Sequence, residues 1–288
     1  MQTTRYEAPG TIADALGVIA ANPGAMVLAG GTDLLVQYHS GVRKPSAFVD
    51  VKRIPELMQI AADADGVTIG AAVPAAEICA HPTVRSWWPG LVDGVHLIGS
   101  TQIQGRSSIG GNLCNASPAA DSVCALIVSG AVAIIAGQSG RREVPVEKFA
   151  VAPGRTVLAA GELLVSVRIP KPLAHTGDAY QRLIPRSEMD IAVASAAVSL
   201  TIGADGVCSA ARVAIGAVAP TALVVQDAAA ALVGSRLDAD ALKQAAAAAS
   251  AAASPIDDKR GTTAYRRQVV GVLTRRVALI AADRAKER

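Results

Sequence analysis

The sequence predicts a mixed α+β protein, and two patterns in the order of its elements indicate this class. The first part reads as a strand, a glycine turn, a helix and a second strand, which is how parallel strands are connected. The last part reads as a β-hairpin followed by three helices. Because 288 residues exceed the usual size of one domain, length alone suggests about two domains with ample core.

The N-terminal unit follows from a capping residue and apolar spacing. Thr11 precedes a helix that Asn22 ends, and the apolar residues between them recur at helical intervals. A short apolar strand over 26–29 then leads directly into Gly30-Gly31. A helix over 34–40 and a strand over 47–51 complete a unit whose two strands should be parallel.

The middle and C-terminal elements are predicted from the spacing of apolar residues and from the residues that typically form turns. Short strands alternate with two helices up to Pro170-Lys171-Pro172, where a boundary is expected. A hairpin and three helices follow, and the alanine run 245–249 lies in the second of these helices, since alanine is the best helix former. The predicted strands are 67–72, 132–136, 143–146, 163–169, 191–202 and 207–215, and the helices are 75–80, 119–129, 221–233, 239–253 and 263–286.

The composition narrows the function classes. The formal charge is only +3 and 3% of residues are aromatic, so the arginines near the C-terminus indicate a solvated helix face rather than nucleic-acid binding. No apolar run is long enough to cross a bilayer, and no secretory signal is seen at the N-terminus, so a cytoplasmic protein without a membrane span is expected. The four cysteines have no C-x-x-C spacing, so no metal or cluster site is predicted.

Two glycine pairs are the candidate binding elements. Gly30-Gly31 stands between a predicted strand and helix, and Gly110-Gly111 precedes a polar stretch. Glycines tolerate positive φ and leave backbone N–H groups open to the close approach that a pyrophosphate requires. Either pair alone could equally be a tight turn.

The polar residues around the glycine pairs extend both candidate segments. Thr32 could cap the helix that begins at Leu34. Asn115, Ser117 and Asp121 could bind phosphate or ribose, although Ser117 and Asp121 could instead cap a helix. There is no P-loop or G-x-G-x-x-G motif, no Ser-His-Asp order and no metal-binding histidine pair.

These residues carry a resemblance to a known family. Ala29-Gly30-Gly31-Thr32-Asp33-Leu34-Leu35 together with the segment from Ser108 to Asp121 resembles the FAD-binding subunit of the molybdenum hydroxylases, the xanthine dehydrogenase family. The resemblance continues through 149–170 and reaches Tyr180-Gln181-Arg182, Arg186 and Asp190-Ile191-Ala192. It therefore covers nearly the whole chain.

The resemblance implies a vanillyl-alcohol-oxidase (PCMH)-type FAD-binding fold. Two FAD-binding subdomains would occupy 1–55 and 56–172, and a flavoprotein C-terminal domain of a three-stranded sheet with a helical bundle would occupy 173–288. The residues that the resemblance places at FAD are Leu28, Ala29, Gly30, Gly31, Thr32, Asp33, Leu34, Ile109, Gly110, Gly111, Asn112, Asn115, Ser117, Asp121, Leu163, Leu164 and Arg182.

Within that set, the resemblance gives each group a part of the cofactor. The glycine segments would hold the pyrophosphate, Asn115 and Asp121 the phosphate-ribose side, and Leu163 and Leu164 the nucleotide. Arg182 stands where the family often has a lysine near the flavin, which keeps the charge and changes its shape.

The resemblance also implies partners. A molybdenum-cofactor large subunit would hydroxylate the substrate, a small subunit would carry two [2Fe-2S] clusters, and this chain would pass electrons through FAD to an external acceptor, NAD or a quinone, in a dimer of heterotrimers. Family relatives that oxidise carbon monoxide typically have His and Asp where this chain has Thr32 and Asn112, so an organic substrate is expected. A free-standing flavin oxidoreductase and a non-catalytic nucleotide-binding module are the alternatives.

Overall fold

The computed structural model describes residues 4–288. The first three residues, on which the expected lack of a secretory signal partly rests, lie outside that range. The chain builds three larger sheets in sequence order, with helices packed against them and one small two-stranded sheet. No helix within 4–288 combines the length and the hydropathy that crossing a membrane requires.

The N-terminal sheet is parallel, as predicted. β3 lies in the centre and is wholly buried, with β1 and β2 paired to its two sides in parallel. Thr11 caps α1, because its side chain accepts a hydrogen bond from the N–H of Asp14 at 3.1 Å. β1 was not predicted, because its three residues are all exposed and show no apolar pattern. The elements are β1 (Arg5–Glu7), α1 (Ile12–Ala21), β2 (Met26–Leu28), α2 (Leu34–His39) and β3 (Ala47–Asp50).

The second sheet has five antiparallel strands in the order β4-β5-β10-β6-β7, and β8 and β9 form a separate pair. The strands are β4 (Ile60–Ala62), β5 (Gly66–Gly70), β6 (Val132–Gly137), β7 (Gly140–Pro145), β8 (Ala150–Ala152), β9 (Arg155–Thr156) and β10 (Leu163–Pro170).

Six short helices cover this region, and most of them escaped prediction. They are α3 (Ala75–Ala80), α4 (Pro82–Trp87), α5 (Pro89–Val95), α6 (Thr101–Gln104), α7 (Ile109–Cys114) and α8 (Val123–Val128). Only α3 and α8 were predicted, and α8 is shorter than the predicted 119–129. Helices of four to seven residues contain too few turns to display a helical period.

The C-terminal part joins an antiparallel sheet to three helices. The sheet order is β11-β12-β13-β14, so the expected three strands are joined by a fourth of two residues. The helix predicted from residue 221 begins only at Gln226, because Leu223 and Val224 pair with β13. The long helix α11 packs along β11 and β12. The elements are β11 (Thr176–Leu183), β12 (Ala194–Ile202), β13 (Cys208–Gly216), β14 (Leu223–Val224), α9 (Gln226–Leu232), α10 (Ala239–Ala252) and α11 (Thr263–Lys286).

Buried clusters join the three parts. Val49 of β3 belongs to the same apolar cluster as Leu163 of β10, which ties the first sheet to the second. Tyr180 of β11 belongs to a cluster with Val123 and Leu126 of α8, which ties the second part to the third. Each of the three larger sheets lies within one of the three predicted segments, and the helices and loops between the sheets complete the core.

Candidate functional site

A cleft of about 320 Å³ opens where the N-terminal sheet meets α7 and the start of β10. Both glycine pairs line it, so the fold brings together two segments that are seventy-nine residues apart in the chain. Leu158, Leu163 and Leu164 form an apolar part of its wall. A cleft with an apolar wall and convergent backbone donors is typical of a cofactor site.

The first glycine segment presents its backbone to the cleft. Gly31 has a φ of 77°, a conformation that only glycine adopts without strain. Within the described residues, no group accepts a hydrogen bond from the backbone N–H of Gly30, Gly31, Thr32 or Asp33. Such a row of free N–H groups at a turn favours a bound anion.

The capping prediction for Thr32 is wrong. The N-cap of α2 is Asp33, and no side chain makes a capping hydrogen bond there. The helix does begin at Leu34, as predicted, but its first turn is held by backbone contacts, since the N–H of Leu35 donates to the carbonyl of Gly31 at 3.0 Å. The hydroxyl of Thr32 is therefore left at the wall of the cleft.

The second glycine pair lies in a helix rather than in a loop. Ser108 caps α7, its Oγ accepting from the N–H of Gly111 at 3.1 Å. Neither Gly110 nor Gly111 has a positive φ, so this pair does not use the conformational freedom that helped to suggest it as a binding element. Gly110 is required by packing, because a Cβ on it would overlap the backbone of Ala71. Gly111 faces the cleft.

Two polar contacts hold the segments around the cleft. Gln37 of α2 donates from Nε2 to Oδ1 of Asn115 at 3.3 Å, which links the first segment to the second. The Oδ1 of Asn112 accepts from the hydroxyl of Ser122 at 2.8 Å. Both asparagines line the cleft, and their amide nitrogens can donate to a bound ligand.

The chemistry of this wall fits a dinucleotide. The free N–H groups suit a pyrophosphate, and the leucines suit a planar ring or a ribose face. Among residues 4–288, no three His, Cys, Asp or Glu side chains come together in a way that could hold a metal ion.

Comparison with known families agrees with this geometry. Residues 2–172 match the model of the FAD binding domain in molybdopterin dehydrogenase, and residues 179–281 match that of the CO dehydrogenase flavoprotein C-terminal domain. The chain belongs to the FAD-binding subunits of the molybdenum hydroxylases.

Individual relatives support the same membership. The chain is 33% identical to the carbon monoxide dehydrogenase medium chain of Hydrogenophaga pseudoflava and 30% identical to the putative xanthine dehydrogenase FAD-binding subunit of Escherichia coli, with 94% of each chain covered in both comparisons. A chain in the crystal structure of cyanide-inactivated Cu,Mo-CO dehydrogenase superposes with a TM-score of 0.94 at 33% identity, over 98% of both chains.

Membership of this family confirms three expectations. The fold is the PCMH-type FAD-binding fold with a flavoprotein C-terminal domain, the cofactor is FAD, and the chain is an oxidoreductase subunit. The alternative of a non-catalytic nucleotide-binding module is therefore wrong.

Most of the residues predicted for this FAD-binding subunit line the cleft. Leu28 and Ile109 are buried beside the cleft and do not form its wall. The predicted residues that do line it are Ala29, Gly30, Gly31, Thr32, Asp33, Leu34, Gly110, Gly111, Asn112, Asn115, Leu163 and Leu164.

Ser117, Asp121 and Arg182 lie outside the cleft lining. The Oγ of Ser117 accepts from the N–H of Ala119 at 3.2 Å within a turn. It does not cap a helix, which was the alternative for this residue, because α8 begins only at Val123 with Ser122 as its N-cap. Asp121 and Arg182 form a nearly buried ion pair of 2.6 Å, and the hydroxyl of Tyr180 donates to Asp121 at 3.1 Å. Burial raises the pKa of Asp121 to about 6, and Arg182 opposes that shift. Contact of these three residues with FAD stays a prediction.

Several residues that line the cleft were not predicted from the sequence. Ser107 and Ser108 lie one residue before the second glycine pair, so their position could have suggested them. Arg43 and Glu162 show no local signal. Glu162 is fixed by Arg142, whose Nε and Nη2 donate to its two carboxylate oxygens at 2.7 and 2.6 Å.

Proposed function

We propose that this chain is the electron-transfer subunit of a heterotrimeric molybdenum-containing hydroxylase or dehydrogenase. Electrons would arrive from the [2Fe-2S] clusters of a small partner subunit, after a large partner subunit with the molybdenum cofactor has oxidised the substrate. When bound, FAD would supply the redox chemistry that connects these clusters to an external acceptor. The observation that carries the proposal is the cleft in which both glycine segments meet.

The chain's own residues have a binding and positioning task. The free N–H groups from Gly30 to Asp33 would hold the pyrophosphate, and Gly111 would let it approach α7. The leucines at 158, 163 and 164 would exclude water from one side of the cofactor. None of these groups is a nucleophile or a general base, which agrees with a subunit that hosts redox chemistry without bond-making by its side chains.

The assembly is proposed to be a dimer of heterotrimers. In support, the relatives that this chain matches over nearly its full length are named as a medium chain and as an FAD-binding subunit. Native mass spectrometry of the complex purified through a tag on this chain should show six chains of three kinds. A homo-oligomer of this chain alone would contradict the proposal.

The decisive functional test uses a complex that lacks FAD. Gly30→Ala should empty the cleft, and the complex should retain its molybdenum and iron. Substrate should then still reduce the [2Fe-2S] clusters, seen as bleaching of their visible absorbance, while reduction of the external acceptor is lost. Because NAD and a quinone both remain candidates, both acceptors are supplied in parallel. Undiminished acceptor reduction without FAD would contradict the proposal.

The remaining alternative is a free-standing flavin oxidoreductase of the same fold. That reading requires the isolated chain to turn over a substrate by itself. We expect the isolated FAD-loaded chain to show no hydroxylation of any substrate that the complex oxidises. Turnover by the isolated chain at the rate of the complex would favour the alternative.

We also propose an organic substrate and a cytoplasmic location. Thr32 and Asn112 both line the cleft at the positions that prompted the substrate expectation. Of the two relatives compared above, one is named for xanthine, an N-heterocycle, and the other for carbon monoxide. Dye reduction by the complex should proceed with an N-heterocycle or aldehyde, and turnover of carbon monoxide alone would overturn this. All four cysteines are free thiols, which suits a reducing compartment.

A further inference from the structure

A lysine that lies outside the cleft contacts the first glycine segment on the side that faces away from the cleft. Nζ of Lys52 donates to the carbonyl oxygen of Ala29 at 2.7 Å. Lys52 follows β3, whereas Ala29 follows the adjacent parallel strand β2. Lys52 does not line the cleft, although Ala29 and Gly30 do. The ammonium group therefore approaches this peptide from the side away from the cofactor site.

The ammonium group is itself held in place. Nζ of Lys52 also contacts Oδ1 of Asp50 at 2.7 Å, and the same oxygen accepts from the backbone N–H of Lys52 at 3.0 Å. The hydroxyl of Tyr6 donates to the other oxygen of Asp50 at 2.5 Å. The Lys52 side chain is only 22% exposed. This chain of contacts, Tyr6 to Asp50 to Lys52 to Ala29, fixes where the ammonium points.

Because the Lys52 ammonium group is fixed, it also fixes the orientation of the Ala29–Gly30 peptide unit at the cleft. The carbonyl of Ala29 and the N–H of Gly30 belong to one planar unit and point in opposite directions. A carbonyl held towards Lys52 therefore turns the Gly30 N–H towards the opposite side, where the cleft lies. That N–H has no acceptor among the described residues. The hydrogen bond from a charged donor also polarises the peptide, which strengthens its N–H as a donor.

We propose that Lys52 is a positioning residue of the FAD site, which orients the Ala29–Gly30 peptide so that the Gly30 N–H donates to the pyrophosphate. This inference rests on the FAD binding that family membership establishes. Lys52 acts through the backbone and does not touch the cofactor. Asp50 and Tyr6 serve the same purpose one step further away.

The test measures FAD affinity of the full-length apoprotein by quenching of flavin fluorescence. Lys52→Met keeps most of the aliphatic stem and removes the donor, and it should weaken FAD binding about tenfold, which corresponds to about 1.4 kcal/mol. Lys52→Arg retains a charged donor and should recover most of the loss. The same tenfold loss should appear for ADP as a competitor, because ADP carries the pyrophosphate without the flavin.

Two controls separate positioning from charge and from folding. Arg53→Met removes a charge from the adjacent exposed position, and in about 0.3 M salt, which screens distant charges, it should leave FAD affinity within twofold. In the double variant Asp50→Asn/Lys52→Met no buried carboxylate is left unpaired, so thermal stability should recover while the FAD defect persists.

Three results would overturn the inference: a Lys52→Met affinity within twofold of the wild type, an equal loss from Arg53→Met, or a defect that disappears in the double variant. The wild-type titration is read separately. If the wild-type apoprotein failed to bind FAD and ADP, the cofactor assignment itself would be wrong. If the wild-type protein bound both normally and Lys52→Met bound them equally well, only the role proposed for Lys52 would be wrong.

Discussion

Gly30 lies against Arg106, and the contact is so close that a Cβ on Gly30 would overlap the carbonyl oxygen of Arg106. Gly30 belongs to the first glycine segment, and Arg106 lies just before the second. The bare Cα therefore lets the two segments meet. Since both segments line the cleft, this single contact sets the spacing between the two walls that would hold the pyrophosphate.

Gly30→Ala should therefore separate the two walls. The added methyl group cannot be accommodated without moving backbone, so we expect FAD content of the purified protein to fall at least tenfold, with a stability loss of about 1–3 kcal/mol from overpacking. Flavin absorbance per mole of protein measures the first effect and urea unfolding the second. The control is Gly17→Ala in α1, where a Cβ meets nothing within 4 Å and a small gain in stability is expected. Normal FAD content in Gly30→Ala would contradict the argument.

Gly111→Val should lower FAD content with less effect on folding than a change at Gly110. Gly111 faces the cleft and a Cβ there meets only the Ser108 hydroxyl, at 3.2 Å, so the branched side chain would project towards the phosphate. Gly110→Ala should instead lower the melting temperature, because its Cβ would overlap Ala71. The measurement is FAD content and melting temperature for both variants. A soluble Gly111→Val protein with full flavin content would remove this residue from the site.

The sequence could predict the elements with a clear period or cap and could not predict contacts between distant segments. Thr11, the strand before Gly30 and the alanine-rich α10 all have local signals, and each lies where it was predicted. Gly110 was assigned to a loop because a glycine pair looks the same whether a phosphate or the backbone of Ala71 requires it. Lys52 was missed because its contact with Ala29 spans twenty-three residues and nothing nearby in the chain marks it.

Asp121 and Arg182 are a second example of a contact between distant segments that the sequence could not predict. Asp121 belongs to the second predicted segment and Arg182 to the third. Their ion pair joins residues sixty-one positions apart. Asp121 was assigned to FAD from its local sequence and from the family resemblance, and Arg182 from the resemblance alone. The structure shows that they form an ion pair with each other in a nearly buried position. Whether either also reaches the cofactor is decided by the variant described next.

Arg182→Met should destabilise the fold by about 3–5 kcal/mol, because it leaves the Asp121 carboxylate buried without its cation. The pKa of Asp121, already raised by burial, should rise further, so the carboxyl group would take up a proton. Urea unfolding measures the loss, and FAD content of the folded fraction tests the predicted flavin contact. Arg168→Met, which breaks an exposed pair with Asp63, is the control and should change stability little. If the two variants were equally stable, the buried Asp121–Arg182 pair would contribute no more to stability than the exposed pair.

FAD should be bound without a covalent bond. The cleft wall, as far as residues 4–288 form it, contains no histidine or tyrosine to which the flavin could be attached. Acid precipitation should therefore release the yellow chromophore into the supernatant. Cys114 contributes a thiol to the wall, so Cys114→Ser is the matched control and should release the same amount. A yellow pellet from the wild-type protein would contradict the prediction, and loss of that colour in Cys114→Ser would assign the bond to sulfur.

The stability of the subunit should fall as the pH rises from about 4 to about 7, in part because of Asp178. This carboxyl group is fully buried, and among the described residues its oxygens make no hydrogen bond of regular geometry, although the backbone N–H of Gly90 lies close enough to stabilise its charge. Burial raises the pKa of Asp178 to about 7, although the backbone N–H of Gly90 and the guanidinium groups of Arg284 and Arg288 oppose the shift. Burial also raises the pKa of Asp121.

The sign follows from the protons that each state binds. Between the ordinary pKa of an aspartate, about 3.9, and the raised value, the folded protein keeps the proton of Asp178 and the unfolded chain loses it, so rising pH favours unfolding. Asp178→Asn cannot ionise, so the difference between its melting temperature and that of the wild type should become more positive from pH 5 to pH 8. Asp93→Asn is the control, because Asp93 pairs with Arg284 at 2.6 Å and its loss should destabilise the protein at both pH values. A difference between Asp178→Asn and the wild type that stays constant from pH 5 to pH 8 would show that Asp178 is ionised in the folded protein throughout this range.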